Sequence, residues 1–247
     1  MNGYCQARTA ALALLCAVTM LPAGAQPFGL NVDLDLDGPP EVGGGAPSPL
    51  FGAAAGQTGY WNAMHILALG PRELRTLDGQ LSGVIATAEG IATGGGWCCN
   101  GNSGDFTRLL NDATQVGTDR AGPASQWTLR GFPTGWYAVY TYAVKPNGQY
   151  GIVDVLVPNS NHPNPQRVEG IMPGNRFERG VTHSIHHVFT ADGVIQIRAG
   201  GPWPNAFVNG FQIVPVTEPC ALLALAVFSI ALVSSKTRRK MRRTGVE

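Results

Sequence analysis

Three histidines stand close together, His183, His186 and His187, in the run Thr182-His183-Ser184-Ile185-His186-His187-Val188. At a strand rise of about 3.3 Å per residue, His183 and His187 share a face but stand ~13 Å apart, while His186 points to the other face. No pair has the alternate-residue spacing that lets one strand offer two metal ligands, so no metal site is expected here. His65 and His162 have no partner pattern either. No Gly-x-Ser-x-Gly elbow is present; Ser82-Gly83 and Ser103-Gly104 lack that context. Gly94-Gly95-Gly96 lacks the Lys-Ser/Thr of a phosphate loop. Asp33, Asp35 and Asp37 before Gly38 look like the start of a calcium loop, but Gly44 stands where the bidentate glutamate belongs. They read instead as a solvent-facing row. A polysaccharide hydrolase would have to assemble two carboxylates from distant strands, with Glu89, Asp105, Asp112 and Asp154 the ones to inspect. No catalytic residue, metal or cofactor is expected, and the chain reads as non-enzymatic.

Binding chemistry is better represented. Trp61 with Asn62, Trp97 with Asn100 and Asn102, and Trp203 with Asn205 each join an aromatic face to amides. A sugar ring has an apolar face and a rim of hydroxyls, so these pairs suit a glycan. The competing reading makes Trp61 and Trp203 core or loop anchors, with the amides satisfying turns. Trp97, in a glycine-rich loop, is the one expected to be exposed. Beside it, adjacent Cys98 and Cys99 form a vicinal disulfide, remain free thiols, or bond between chains.

The elements that must hold these residues are mostly strands. Residues 30–36 alternate, with Leu30, Val32, Leu34 and Leu36 on one side. Further strands are predicted at 81–88, 126–130, 136–144, 150–157, 181–190, 194–199 and 206–214. In the fourth, Trp136, Ala138, Tyr140 and Tyr142 share one side and Tyr137, Val139 and Thr141 the other. Two aromatic-bearing faces predict a strand covered on both sides. Residues 94–104 read as a loop. Ser103 or Asp105 is predicted to cap a short helix carrying Phe106, Leu109 and Leu110. Ala191-Asp192-Gly193 is a hairpin signal. About eight short strands with turns between them predict an all-β fold, a single β-sandwich over residues 26–215.

The two ends read differently. Residues 1–25 form a secretory signal peptide: Arg8, an apolar run over 10–20, Pro22, then Ala23-Gly24-Ala25 as the cleavage site. At the other end come residues 216–219, with Thr217, Glu218 and Pro219. An uncharged span over 220–235 follows, then a basic tail over 236–243 containing Lys236, Arg238, Arg239, Lys240, Arg242 and Arg243. The span is marginally short for a stable crossing, with Ser234 and Ser235 extending it and snorkelling cations to help, and the basic cluster holds the tail on the cytoplasmic side. Setting aside Arg8, the six tail cations and Glu247 leaves ten basic and fifteen acidic residues, a net charge of −5. That balance lacks the basic footprint of a nucleic-acid binder.

The tail resembles the PEP-CTERM sorting signal of Gram-negative bacteria, with Glu218-Pro219 matching the motif's last two residues and Thr217 standing at its first proline. The resemblance implies processing by an exosortase, a membrane protease, after a transient stay in the membrane. The middle of the chain is similar to jelly-roll, galactose-binding-like ectodomains of proteins bearing such tails. Its matching positions are Gly52 to Gly56, Trp61-Asn62, Leu110-Asn111-Asp112, Trp136-Tyr137 and Asn209-Gly210-Phe211-Gln212-Ile213. That likeness implies a protein of the cell surface or extracellular matrix, with extracellular polysaccharide as ligand or with a purely structural role.

Overall fold

In the computed structural model the described residues are 28–34, 44–65, 70–90, 93–96, 101–118, 125–161 and 163–216. The signal peptide, Trp97, Cys98, Cys99, Asn100, His162, Thr217 to Pro219, the apolar span and the basic tail lie outside them. Fifteen strands and one helix are present among the described residues. In chain order they begin β1 Leu30–Asp33, β2 Trp61–Ala63, β3 Arg72–Arg75, β4 Leu81–Glu89, β5 Thr93–Gly96 and α1 Asp105–Leu110. Next come β6 Asp112–Gln115, β7 Gly117–Thr118, β8 Ser125–Arg130, β9 Gly135–Tyr142 and β10 Gly151–Leu156. The last are β11 Gln166–Gly170, β12 His183–Thr190, β13 Val194–Pro202, β14 Phe207–Val208 and β15 Gly210–Val216. The fold is all-β, and no described helix is long and apolar enough to cross a membrane.

A five-stranded sheet has the order β12-β9-β15-β1-β2, antiparallel except between β1 and β2. A seven-stranded sheet runs β11-β10-β13-β8-β4-β3, with β7 beside β13, and a three-stranded one runs β14-β6-β5. Alternation explains how the two large sheets meet. Leu30, Val32, Val139, Phe211 and Ile213 from one, and Val84, Trp127, Leu129, Val153, Val155, Ile195 and Ile197 from the other, share one buried cluster. Trp127 meets Phe211 edge-on across the layer, ring centroids 5.0 Å apart. Such a face-to-face contact of two sheets is sandwich-like.

The chain crosses between these sheets at its turns. Residues 131–134 lead from β8 to β9, 143–150 from β9 to β10, and 191–193 from β12 to β13. The Ala191-Asp192-Gly193 turn is therefore an arch between sheets and not the hairpin its residues predict. Asp192 accepts from the Thr190 hydroxyl at 3.0 Å and from Val194 N–H at 3.1 Å, which reverses the chain locally. What decides the partner of the next strand is packing: Gly193 O accepts from Gly131 N and Phe132 N, tying this turn to the 131–134 crossing. Gly193 has φ +73°, and a Cβ there would stand 2.8 Å from Phe132 O.

Three further expectations change. Asp33 is fully buried, because β1 lies between β15 and β2 with both faces covered, so it belongs to no solvent-facing row. Gly94 to Gly96 pair with β6 and are strand rather than loop. Helix α1 starts at Gly104 with no side-chain cap, because Ser103 is held by Asn175 and Asp105 by Ser48.

The predicted double burial of β9 holds for its second half. Its Tyr137 and Val139 lie between the sheets, while Tyr140 and Tyr142 pack on the outside. There a second layer closes over half of the five-stranded sheet: Phe51, Phe106 and Phe177 with Trp61, Leu109 and Leu110. Phe106 and Phe177 stack at 4.9 Å, and Phe51 meets Phe106 edge-on at 5.1 Å.

Candidate functional site

Cross-strand register sorts the outer face of β12, β9 and β15 into four rows. They are His183–Tyr142–Gly210, Ile185–Tyr140–Gln212, His187–Ala138–Val214 and Phe189–Trp136–Val216. The first two rows lie under the second layer. The last two open outward at the end of the domain where β15 finishes.

The covered rows are structural. Trp61 is 3 % exposed, and its indole N–H donates to Phe51 O at 3.1 Å. Asn62 donates to Asn31 O and Arg75 O and accepts from Arg75 N at 2.7 Å, clamping β2 to β1 and β3. This pair is a core anchor, and its aromatic face is filled by the protein itself. Asn102 donates to Asn111 Oδ1 at 3.2 Å and to Met172 Sδ at 3.1 Å, bracing the entry to α1. His183 is buried against Tyr140, Tyr142 and Phe177. The Thr182 hydroxyl lies 3.0 Å from Glu178 O and 3.0 Å from His183 Nδ1. Burial, aided by the Arg179 charge, pushes its pKa down to about 4. Of the other histidines, His186 is buried and His187 half-buried, on opposite faces as the spacing predicts.

The inspected carboxylates lie on four separate elements. Asp154 on β10 takes Arg167 in a two-pronged pair at 2.9 and 3.0 Å. Asp105 holds Ser48 and lies 3.6 Å from Arg108. Asp112 is fully buried at the start of β6, and Glu89 is exposed at the end of β4. Among the described residues no group of His, Cys, Asp and Glu is placed to hold a metal.

The third aromatic–amide pair is different. Trp203 is 52 % exposed. It stands in the turn after β13, which is locked from three sides. Asn205 N–H donates to Pro202 O at 2.8 Å, Asn205 O accepts from Ile152 N at 3.0 Å, and Asn205 Oδ1 accepts from Lys145 Nζ at 2.7 Å. Beneath it, Gly117 approaches so closely that a Cβ would be 3.2 Å from Trp203 Cα. The 145–150 turn joins the same surface: a Cβ on Gly151 would be 3.0 Å from Lys145 N and 3.6 Å from Asn205 O. Next to it Tyr150 is 47 % exposed, its phenol bonded to Glu169. The Lys145–Asn205 bond joins two braced turns that also carry the exposed Trp203 indole and the exposed Tyr150 phenol. Sequence pairing pointed to Trp203 and Asn205. Lys145 and Tyr150, which complete the surface, come from another crossing.

A shallow cleft of about 560 Å³ lies at the opposite end, between the 55–59 loop, Leu77 and Asp78, and Val214 and Pro215. It has no aromatic wall.

No protein-family model matches this chain, and no curated protein matches it. Among solved structures, the isomalto-dextranase of Arthrobacter globiformis T6 complexed with panose is similar, with a TM-score of 0.27 and 13 % identity. That similarity covers 56 % of this chain and 24 % of that one.

Proposed function

We propose that this chain is an exported precursor held for a time in a membrane by its C-terminal segment and released by an exosortase-type protease. Its jelly-roll-like, galactose-binding-like β-sandwich works at the cell surface or in the extracellular matrix as a non-enzymatic binding module for polysaccharide. Repeated crossing between two large sheets supports the jelly-roll part of this reading. The observation that carries the binding part is the polarity of the domain. β1 begins and β15 ends at one end, since Leu30 pairs with Ile213. The surface made by Trp203, Asn205, Lys145 and Tyr150 lies at the other, following the last residue of β13 and the last of β9. Nine residues of β13 span ~27 Å between those ends. A domain tethered at one end offers its far end to a ligand in the medium.

The chemistry fits a sugar. The indole supplies a flat apolar face, and Lys145 and Asn205 supply donors beside it for hydroxyls. Because both turns are braced, little ordering has to be done on binding. The test is a glycan array probed with the whole chain in detergent, its fold verified by circular dichroism. Retention on at least one polysaccharide is expected. Silence from a folded chain removes the ligand and leaves the structural surface protein, the reading that the burial of Trp61 and Asn62 favours.

A further inference from the structure

The row Phe189–Trp136–Val216 ends the outer face of the five-stranded sheet, and it is apolar throughout. Phe189 is 39 % exposed, Trp136 is half-buried, and their ring centroids are 5.4 Å apart. Beside the row, a cleft at this end mixes apolar Leu77, Val214 and Pro215 with polar Gln57, Thr58 and Asp78. Val216, in this row, is the last residue of β15. From there the chain departs toward its uncharged segment.

Covalent geometry limits how far that segment begins from the row. Val216 and Cys220 are four residues apart, at most about 14 Å when fully extended. A bilayer of ~30 Å hydrocarbon within ~40–45 Å overall has a headgroup layer only a few ångströms deep on each side. With Cys220 at the hydrocarbon edge, Val216 therefore stands in or just above that layer. Trp136 is one strand away, about 4.8 Å, and Phe189 two strands away, about 10 Å. Aromatic rings at this depth are favoured, because one part of the ring meets acyl chain and another meets water.

We infer that the Phe189–Trp136–Val216 row is a lipid-contact edge, on which the domain rests against the bilayer interface while its C-terminal segment is inserted. Trp203 then stands at the end away from the membrane. The inference rests on the membrane-held precursor proposed above and adds to it a fixed orientation of the domain.

The test uses the whole chain reconstituted into vesicles of phosphatidylcholine and phosphatidylglycerol, the former brominated near the headgroup end of its acyl chains. Bromine quenches tryptophan on contact. The wild-type chain should float with the vesicles and lose part of its emission. Trp136→Phe should lose at least half of that quenched part, and Trp203→Phe none of it. Phe189→Trp, which keeps every wild-type tryptophan, should gain quenched emission. A floating chain quenched equally with and without Trp136, or a Phe189→Trp chain with no gain, overturns the lipid-contact edge and leaves the membrane-held precursor standing. A chain that does not float overturns both.

Discussion

The phenol of Tyr142 donates to the side-chain carbonyl of Gln212, and both residues are fully buried on the outer side of the five-stranded sheet. Gln212 is a junction. Its Oε1 also accepts from Ala55 N at 3.2 Å, and its Nε2 reaches Asn31 Oδ1 at 2.8 Å, Gln57 O at 3.1 Å and Gly52 O at 3.2 Å. Two residues on neighbouring strands therefore hold down the segment that makes the sheet buried on both faces. Gln212→Leu leaves several buried polar groups without a partner and should cost about 2–4 kcal/mol, and Tyr142→Phe about 1–2 kcal/mol. Urea unfolding midpoints read both. A Gln212→Leu protein as stable as the wild type would show that the cover is held by its aromatics alone.

Gly210 begins β15 where backbones come closest. A Cβ there would stand 2.5 Å from Val32 O and 3.1 Å from Leu109 Cδ1. Neither the β1 backbone nor the α1 anchor has room to move. Gly210→Ala should cost about 2–3 kcal/mol by overpacking. Thermal unfolding should drop by several degrees; an unchanged midpoint would contradict the close approach.

Stability should also depend on His183. In the unfolded chain its pKa is near 6.5, and in the folded protein it is pushed down to about 4 by burial and the Arg179 charge. Above pH 6.5 both states carry the neutral ring. As pH falls from 6.5 toward 4 the unfolded chain binds the proton first, so stability is lost across that window, on the order of 2–3 kcal/mol. Denaturant titrations at pH 7 and pH 4.5 measure the slope. His183→Phe, which keeps a ring against Tyr142 and Phe177, should flatten it; the same slope in the variant would assign the effect elsewhere.

The sorting proposal is read from mature material. Mass spectrometry of the protein recovered from outside its host should find no peptide beyond Pro219. Arg243-containing peptides in that fraction would show that the tail stays on. Replacing Glu218 with Ala should make the tailed form accumulate in membranes.

Much of this fold is written in local pattern, and the limits of that pattern are physical. The alternation of residues 136–142 foretold which side chains of β9 face each layer, because a period of two leaves little freedom. Strands such as Trp61–Ala63 and Arg72–Arg75 are too short and polar to show any period, and they exist because longer neighbours present edges to them. The Asp192 turn specifies a reversal of the chain and not the sheet that receives it. Asp33 looks like a surface residue until the 48–59 segment closes over its sheet, a contact made by Gln57 and Gln212 across 155 positions. At the candidate site, Trp203 and Asn205 are neighbours in sequence and were visible together. Lys145 reaches Asn205 from 60 positions away, and only the crossing after β9 brings it there.

The polysaccharide contact proposed for the far end of the domain runs through Trp203. Affinity electrophoresis of the whole chain through gels containing neutral and acidic extracellular polysaccharides tests it most directly. Trp203→Ala removes an exposed ring, so the fold should lose no more than ~1 kcal/mol. The wild type should be retarded by at least one polysaccharide, Trp203→Ala about tenfold more weakly, and Trp136→Phe, at the opposite end, as strongly as the wild type. Equal retardation of the Trp203→Ala and wild-type chains, or retardation by none of the gels, would contradict the account.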